Sequence, residues 1–163
     1  MLRKALPGDI DFIYELYMHP AVNPYLLYEP MDKRSFQPIY DELIQKGVKY
    51  VYEEENTRAG MVKLIPYTYR AAHVAYVGGL AIHPDLSGKG HGRKLMEDLL
   101  DLARQNGFKR LELSASVTND KAIRLYEQVG FKKEGILEKY NYLAQYDDYF
   151  DEVLMAYLFD INR

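Results

Sequence analysis

One stretch of the sequence decides the fold: residues 82–96 read IHPDLSGKGHGRKLM. A strand-like run, residues 73–83, precedes the stretch and contains a Gly78-Gly79 pair, where a bulge or a close backbone approach is expected. A helix follows, with apolar side chains at helical spacing: Leu95, Met96, Leu99, Leu102 and Ala103. A strand, a glycine turn and a helix N-terminus suit a phosphate, because unhindered backbone amides point toward the anion. The alternative is that these glycines only make a tight turn.

The turn matches neither of the two familiar nucleotide-binding motifs. A Walker P-loop would need glycine at Arg93 and serine or threonine at Leu95. The dinucleotide fingerprint, counted from Gly88 or Gly90, meets Arg93 or Leu95 where glycine or alanine belongs. Charge still favours an anion, because residues 86–110 carry six basic and three acidic side chains in a chain of net charge −3. The rest of the chain is therefore clearly acidic.

The 163 residues have the length of one domain, and helical and strand-like patterns follow one another along it. Helix N-caps are predicted at Asp9, at Asp32 and at Thr118 or Asn119, and a helix end at Gly47. The first predicted helix follows Asp9 and is broken by Pro20, and the second runs from Asp32 to the stop at Gly47. The third follows the glycine turn of residues 87–92 and closes at Asn106-Gly107, and the fourth follows Thr118 or Asn119 and stops at Gly130. The predicted strands are residues 1–5, 50–54, 59–67, 73–83, 111–116, 132–140 and 150–161. These patterns predict an α/β protein with three layers around a mixed sheet.

Two stretches carry a family resemblance. Residues 82–96, together with residues 119–131, NDKAIRLYEQVGF, resemble the two signature stretches of the GNAT superfamily of acetyl-CoA-dependent N-acetyltransferases. The resemblance implies the GNAT fold, a central, mostly antiparallel mixed sheet of six to seven strands flanked by about four helices. It also implies acetyl-CoA as co-substrate and a single N-acetyltransferase domain over residues 1–163. Residues 139–155 look like the subgroup that acetylates amino acids and small amines such as phosphinothricin.

The resemblance implies a coenzyme site built largely from backbone groups. That site would take in the end of the fourth strand, the glycine turn and a later helix: Leu80, Ala81, Ile82, Ser87, Gly88, Lys89, Gly90, His91, Gly92, Arg93, Lys94, Asn119, Ala122 and Tyr126. The family's glutamine or arginine at the head of the turn is Ser87 here, so we expect Lys89 or Arg93 to supply the missing side-chain contact. For Asn119 the structural alternative is a helix N-cap alone.

Tyr126 occupies the position of the family's general acid. A phenol stays protonated at neutral pH and can donate to the departing thiolate, although the spacing also suits a core residue. The chain has no cysteine, which excludes a cysteinyl intermediate and favours direct transfer. Where many family members carry a glutamate on the fourth strand, this chain has Tyr76 and its neighbours, so an ordered water relay is the expected base. His73 and His83 are further candidates, and the histidines show no metal-ligand spacing.

The family's acceptor site lies between the loop joining the first two helices and the connection before the last strand. Aromatic and acidic residues in these segments and on the fourth strand predict a pocket for a cationic or amphipathic amine: Tyr25, Tyr28, Glu29, Tyr76, Tyr140 and Tyr149. The expected acceptor is the primary amine of an amino acid, a similar small molecule or a peptide, with polyamines and protein N-termini as alternatives. The tyrosines would instead suit a homodimer interface. A non-catalytic coenzyme-A-binding sensor or assembly module is the alternative function.

The sequence also limits where the protein is expected to act and which partners it is expected to bind. The N-terminal residues carry no apolar stretch of signal-peptide length, and no apolar run approaches the length of a membrane span. We therefore expect a cytoplasmic protein with no membrane partner. The basic patch is small and lacks interleaved aromatic residues, which argues against nucleic acid as a partner.

Overall fold

The computed structural model describes residues 1–160, which form seven strands and four α-helices. The strands are β1 (Leu2–Lys4), β2 (Lys49–Glu54), β3 (Thr57–Pro66), β4 (Val74–Ile82), β5 (Arg110–Ser116), β6 (Lys132–Leu143) and β7 (Asp148–Leu158). The helices are α1 (Ile10–Met18), α2 (Lys33–Lys46), α3 (His91–Gln105) and α4 (Asp120–Gln128). The strand order is β1-β2-β3-β4-β5-β7-β6. Since β4 and β5 pair in parallel and the pairs β1–β2, β2–β3, β5–β7 and β6–β7 are antiparallel, the predicted mixed sheet is confirmed.

The chain divides into two compact units. The first unit comprises Met1–Leu64 and Gly79–Asp98, and the second comprises Ile65–Gly78 and the residues from Leu99 onward. In the first unit α1 and α2 bury apolar side chains at helical spacing: Ile13, Leu16, Tyr17, Phe36 and Tyr40. In the second unit alternate residues of β5 are buried: Leu111, Leu113 and Ala115. None of the helices within residues 1–160 has the length and apolar character needed to cross a bilayer.

Of the three caps predicted for the first two helices, two are confirmed and one is wrong. Asp32 accepts a hydrogen bond from the Ser35 amide at 2.7 Å, and Gly47 ends α2 with φ of +62°. Asp9 precedes α1, but its carboxylate caps no amide of that helix. It binds the Arg3 guanidinium at 2.7 Å instead, because a charge-assisted pair is stronger than a hydrogen bond to a neutral amide.

The last two strands differ from the prediction. The tyrosine-rich segment expected as a long connection belongs mostly to the strands, because β6 continues to Leu143 and β7 begins at Asp148. Tyrosine favours strands, and the spacing of Tyr140 and Tyr142 is the two-residue period of a strand. The strand predicted over residues 150–161 ends at Leu158, and its last predicted residue, Ile161, lies outside the described residues.

Candidate active site

The residues predicted for the site are divided between the two units. The first unit contains the end of β4, the glycine turn and the loop after α1: Leu80, Ala81, Ile82, Ser87, Gly88, Lys89, Gly90, His91, Gly92, Arg93, Lys94, Tyr25, Tyr28 and Glu29. The second unit contains the residues of α4 and the tyrosines of the later strands: Asn119, Ala122, Tyr126, Tyr76, Tyr140 and Tyr149. Each group is described within its own unit.

The glycine turn lies between β4 and α3. Gly88 and Gly90 have φ of +78° and +84°, a backbone region that favours glycine. A Cβ added at either residue meets nothing within 4 Å, so the space beside the turn is open. The helix that starts at His91 has 15 residues, and its first amides lack intrahelical partners. The turn therefore offers an anion both free amides and the positive end of a helix dipole.

His91, the first residue of α3, has a buried nitrogen without a partner among the described residues. Its Nδ1 atom is buried and has no hydrogen-bond partner among residues 1–160. The Tyr52 ring packs against the His91 imidazole, with ring centroids 6.2 Å apart. Because buried polar atoms are rarely left unpaired in folded proteins, an orphaned nitrogen beside an open turn fits a polar ligand such as the expected acetyl-CoA.

The basic side chains around the turn already have partners. Each binds an acidic side chain or a carbonyl oxygen: Lys89 Nζ to Asp85 O at 3.2 Å, Arg93 Nε to Glu97 Oε1 at 2.9 Å and Lys94 Nζ to Glu54 Oε1 at 2.5 Å. Exposed ion pairs contribute only about 0–1 kcal/mol, so a phosphate can replace these partners at little cost. That Lys89 or Arg93 compensates for Ser87 stays a prediction.

The end of β4 packs closely against its neighbours in the first unit. A Cβ on Gly60 would lie 2.7 Å from the carbonyl oxygen of Ala81, which is why that position of β3 needs glycine. Gly79 has φ of +54°, and a Cβ there would lie 2.7 Å from the Tyr17 hydroxyl. At Gly79 the close neighbour is therefore a side chain and not a second backbone.

Two buried lysines lie beside Gly79, and the sequence interpretation missed both. Lys49 and Lys63 are opposite each other in β2 and β3, with 1% and 5% of their surface exposed. Lys49 Nζ donates to the Tyr17 hydroxyl at 2.8 Å, and Lys63 Nζ lies 5.2 Å from the Tyr28 ring centroid. Burial lowers the pKa of both ammonium groups, and their mutual repulsion lowers that of Lys49 further. The signal in the sequence was strand alternation: Lys49 lies two residues from Val51 and Lys63 two residues from Met61, so each lysine lies on the same face of its strand as an apolar residue.

The tyrosines after α1 have different surroundings. Tyr28 packs edge-on against Tyr17, with centroids 5.0 Å apart, and burial raises its pKa. Asn23 is buried and holds the loop by donating to the carbonyl oxygens of Tyr17 and Tyr28. Tyr25 and Glu29 are exposed. The loop therefore offers one half-buried aromatic ring and an exposed carboxylate.

In the second unit, α4 positions the candidate general acid. Asn119 Oδ1 accepts a hydrogen bond from the Ala122 amide at 3.3 Å, so its predicted N-cap is confirmed. One side of Tyr126 packs against Phe131, with ring centroids 6.1 Å apart, and only 7% of the residue is exposed. Burial raises the pKa of its phenol, which keeps the proton on the oxygen at neutral pH.

A chain of polar side chains in the second unit was not predicted. The Tyr76 hydroxyl lies 3.2 Å from Ser114 Oγ, and Ser114 donates to the buried carboxylate of Glu152. Asn141 donates to the other oxygen of that carboxylate. Ser114 and Glu152 lie on one face because their strands, β5 and β7, are paired, a register that the sequence does not show.

The β6–β7 hairpin carries the remaining predicted residues. Tyr140 and Tyr149 are each more than half exposed. The Tyr142 and Tyr149 rings lie 5.2 Å apart, and the Tyr142 hydroxyl donates to Asp147 at 2.7 Å. The hairpin therefore presents aromatic faces together with carboxylates.

The two histidines predicted as candidate bases lie in different units. His83 Nε2 is 3.2 Å from Glu15 Oε1 in the first unit, while His73 is exposed in the second. No group of three or more candidate metal ligands occurs within residues 1–160.

Comparison with known proteins adds a family and named relatives. A family model described as "Acetyltransferase (GNAT) family" matches residues 10–131. The chain is 29% identical over 155 residues to the spermidine N(1)-acetyltransferase of Vibrio cholerae, covering 90% of this chain and 87% of that protein. It is 32% identical over 100 residues to the ribosomal protein bS18-alanine N-acetyltransferase of Escherichia coli, covering 61% of this chain and 66% of that protein.

A solved structure agrees with this relationship. The crystal structure of spermidine N-acetyltransferase from Vibrio cholerae in complex with CoA and spermine matches with a TM-score of 0.85 and 28% identity, over 97% of this chain and 94% of that chain. These relatives do not support the expected placement in the phosphinothricin-type subgroup, whereas they agree with the expected family.

Proposed function

This chain belongs to the acetyltransferase (GNAT) family and transfers the acetyl group of acetyl-CoA to an amine, and we propose that its acceptor is a small primary amine of the polyamine class. The named acetyltransferase relatives favour catalysis over the alternative of a non-catalytic coenzyme-A-binding module. The proposal includes a single N-acetyltransferase domain over residues 1–163 that acts in the cytoplasm.

The acidic β6–β7 hairpin is the observation that carries the acceptor class. Its carboxylates at Asp147, Asp148 and Asp151 form no ion pair with a lysine or arginine within residues 1–160. The exposed ring of Tyr149, between Asp148 and Asp151, adds a face that attracts cations, and Lys139 Nζ lies 6.0 Å from its centroid. A flexible chain with several ammonium groups complements such a surface better than a zwitterionic amino acid does. The spermidine acetyltransferase of Vibrio cholerae supports the same class.

We propose that the acetyl group passes directly from the thioester to the amine. The absence of cysteine supports this route over a cysteinyl intermediate. The amides of the glycine turn would hold the diphosphate, and the backbone of residues 80–82 would align the pantetheine arm. Tyr126 would donate its proton to the departing thiolate, a role that its raised pKa supports because the phenol enters the reaction neutral.

An acceptor panel tests the substrate class. Thiol release and product mass are measured with spermidine, spermine, free amino acids including phosphinothricin, and a peptide with an N-terminal alanine. We expect the highest kcat/KM for the polyamines. The double variant Asp147→Asn/Asp148→Asn should lower kcat/KM for spermidine about tenfold, since each exposed charge contributes up to about 1 kcal/mol. Its KM for acetyl-CoA should not change.

The control for the panel is Asp101→Asn, which removes an exposed carboxylate from α3 and should leave spermidine turnover unchanged. Higher kcat/KM for amino acids or for the peptide would refute the polyamine class and leave acetyl transfer itself intact.

Tyr126→Phe tests the general acid, because it keeps the buried ring and removes only the hydroxyl. We expect turnover to fall by about 10²–10⁴-fold, the usual contribution of a positioned acid. Acetyl-CoA binding by calorimetry should not change. Tyr157→Phe is the matched control, since its ring also packs against Phe131, at 5.6 Å. Turnover as in the unaltered protein would remove Tyr126 from the mechanism.

A further inference from the structure

Glu152 is a buried carboxylate with no cationic partner among the described residues. Only two carboxylates within residues 1–160 are more than nine-tenths buried, Asp9 and Glu152. Asp9 pairs with the guanidinium groups of Arg3 and Arg58, whereas Glu152 forms no ion pair among these residues. Burying an unpaired carboxylate is costly, and a protein that only needed packing at this position of β7 would have an apolar residue there. Its presence calls for a chemical explanation.

The contacts of Glu152 form a proton path. Ser114 Oγ donates to Oε2 and Asn141 Nδ2 donates to Oε1, so both carboxylate oxygens are held. The Tyr76 hydroxyl lies 3.2 Å from the same Ser114 oxygen. The Ser114 hydroxyl therefore links the Tyr76 hydroxyl of β4 to the buried carboxylate of Glu152.

The strand register fixes this path. Glu152 lies opposite Ser116 in the antiparallel pair β5–β7, which puts it diagonally across from Ser114 on the same face. Tyr76 lies opposite Glu112 in the parallel pair β4–β5, two residues from Ser114 and again on that face. Backbone pairing, rather than a mobile loop, holds the three side chains in line.

We infer that Glu152 is the final acceptor of the proton that the acceptor ammonium loses before it attacks, with the Ser114 hydroxyl as the relay. This role rests on the proposed acetyl transfer and supplies the carboxylate base that the fourth strand lacks. The sequence indicated a water relay, and the Ser114–Glu152 pair gives that relay a defined end inside the protein.

The proton balance closes with Tyr126 as the acid. The ammonium gives one proton to the Ser114 hydroxyl as that hydroxyl passes its own to Glu152, and the neutral amine attacks the thioester carbonyl. The C–N bond forms, the C–S bond breaks, and the thiolate takes the Tyr126 proton. The second proton of the former ammonium restores Tyr126. Glu152 returns its proton to water, so one proton is released for each amide formed.

The groups that face Glu152 set the expected pH dependence. They are Tyr76 from β4, Ser114 from β5, Asn141 from β6 and Tyr126 from α4, and the hydroxyl of Tyr140 acts on Tyr76. Burial raises the pKa of Tyr76 and Tyr126, so both phenols stay neutral through the neutral range. Neither phenol should therefore contribute a titration to the activity profile in the neutral range.

Glu152→Gln tests the inference through the pH profile of kcat/KM, measured with the best amine of the acceptor panel. We expect kcat/KM to fall 10²–10⁴-fold at pH 7. Activity should recover as the pH approaches the pKa of the free amine, because a neutral amine needs no base. Ser114→Ala should show the same loss and the same recovery. Glu138→Gln, an exposed carboxylate of β6, is the control and should keep the original profile.

Four results separate the inference from the proposed function. A Glu152→Gln protein with a lower melting temperature and an unchanged pH profile makes Glu152 a purely structural residue and overturns the inference. So does a Ser114→Ala protein with the original profile. A protein of unaltered sequence that acetylates no amine overturns the proposed function and the inference together, whereas acetylation of a non-polyamine amine overturns only the acceptor class.

Discussion

Gly79→Ala is the substitution whose effect follows most directly from the geometry of the first unit. Gly79 has φ of +54°, and an alanine forced into that region costs about 1–2 kcal/mol. The new Cβ would lie 2.7 Å from the Tyr17 hydroxyl, 3.3 Å from Lys63 Cε and 3.4 Å from Lys49 Nζ. Overpacking of this kind costs about 1–3 kcal/mol, so we expect a total loss of about 2–5 kcal/mol in the free energy of unfolding.

Gly88→Ala is the matched control. Its φ of +78° imposes the same kind of backbone strain, but an added Cβ meets nothing within 4 Å. We expect a loss of only about 1–2 kcal/mol. Urea unfolding followed by far-UV circular dichroism measures both, as a shift of the midpoint at constant slope.

A double-mutant cycle identifies the cause. In a Tyr17→Phe background the nearest oxygen is gone, so Gly79→Ala should cost about 1–3 kcal/mol less than in the unaltered protein. Equal losses for Gly79→Ala and Gly88→Ala would refute the packing argument. So would a cycle without coupling between Tyr17 and Gly79, because it would leave backbone strain as the whole effect.

Three further predictions concern charge and capping. Lys49→Met should stabilise the protein more at pH 7 than near pH 10.5, because burial depresses the folded pKa of Lys49 and the stability of the unaltered protein then rises with pH toward 10.5. A gain in urea midpoint that is independent of pH contradicts this. Asp9→Asn should lower the free energy of unfolding by roughly 3–5 kcal/mol at pH 6, where the carboxylate is paired with Arg3. The difference from the unaltered protein should close below about pH 3.8, because the lowered folded pKa of Asp9 gives stability that is lost on acidification. Asn119→Ala should cost about 1 kcal/mol in thermal unfolding and Asn119→Ser much less, and equal losses would remove the cap from the explanation.

The sequence predicts the fold well where a pattern is local. The helical apolar spacing of α3 and the glycine at position 47 act within one or two turns, so they can be recognised without knowing the strand partners. The prediction for the β6–β7 hairpin was partly wrong because it depends on strand partners and not on a local pattern. Its tyrosines suit both a loop that binds amines and a strand, and strand pairing decides between the two.

The site is predictable only in its backbone motif. The glycine turn and the capped α4 are written in consecutive residues, whereas the Lys49–Lys63 pair and the Ser114–Glu152 pair exist only through register between strands. A charged residue in a strand is read as solvent-facing until its phase is fixed by a partner. Long-range pairing is the information that a single sequence lacks.

The order β5-β7-β6 has a consequence for synthesis of the chain. Within residues 1–160, β7 is the last strand to leave the ribosome, yet it occupies a place between two earlier strands. Until residues 148–158 emerge, β5 and β6 each present an unpaired edge, and such edges are prone to associate with other chains. A ribosome stalled just before this segment would therefore expose an intermediate that needs a chaperone, even though most of the chain is already made.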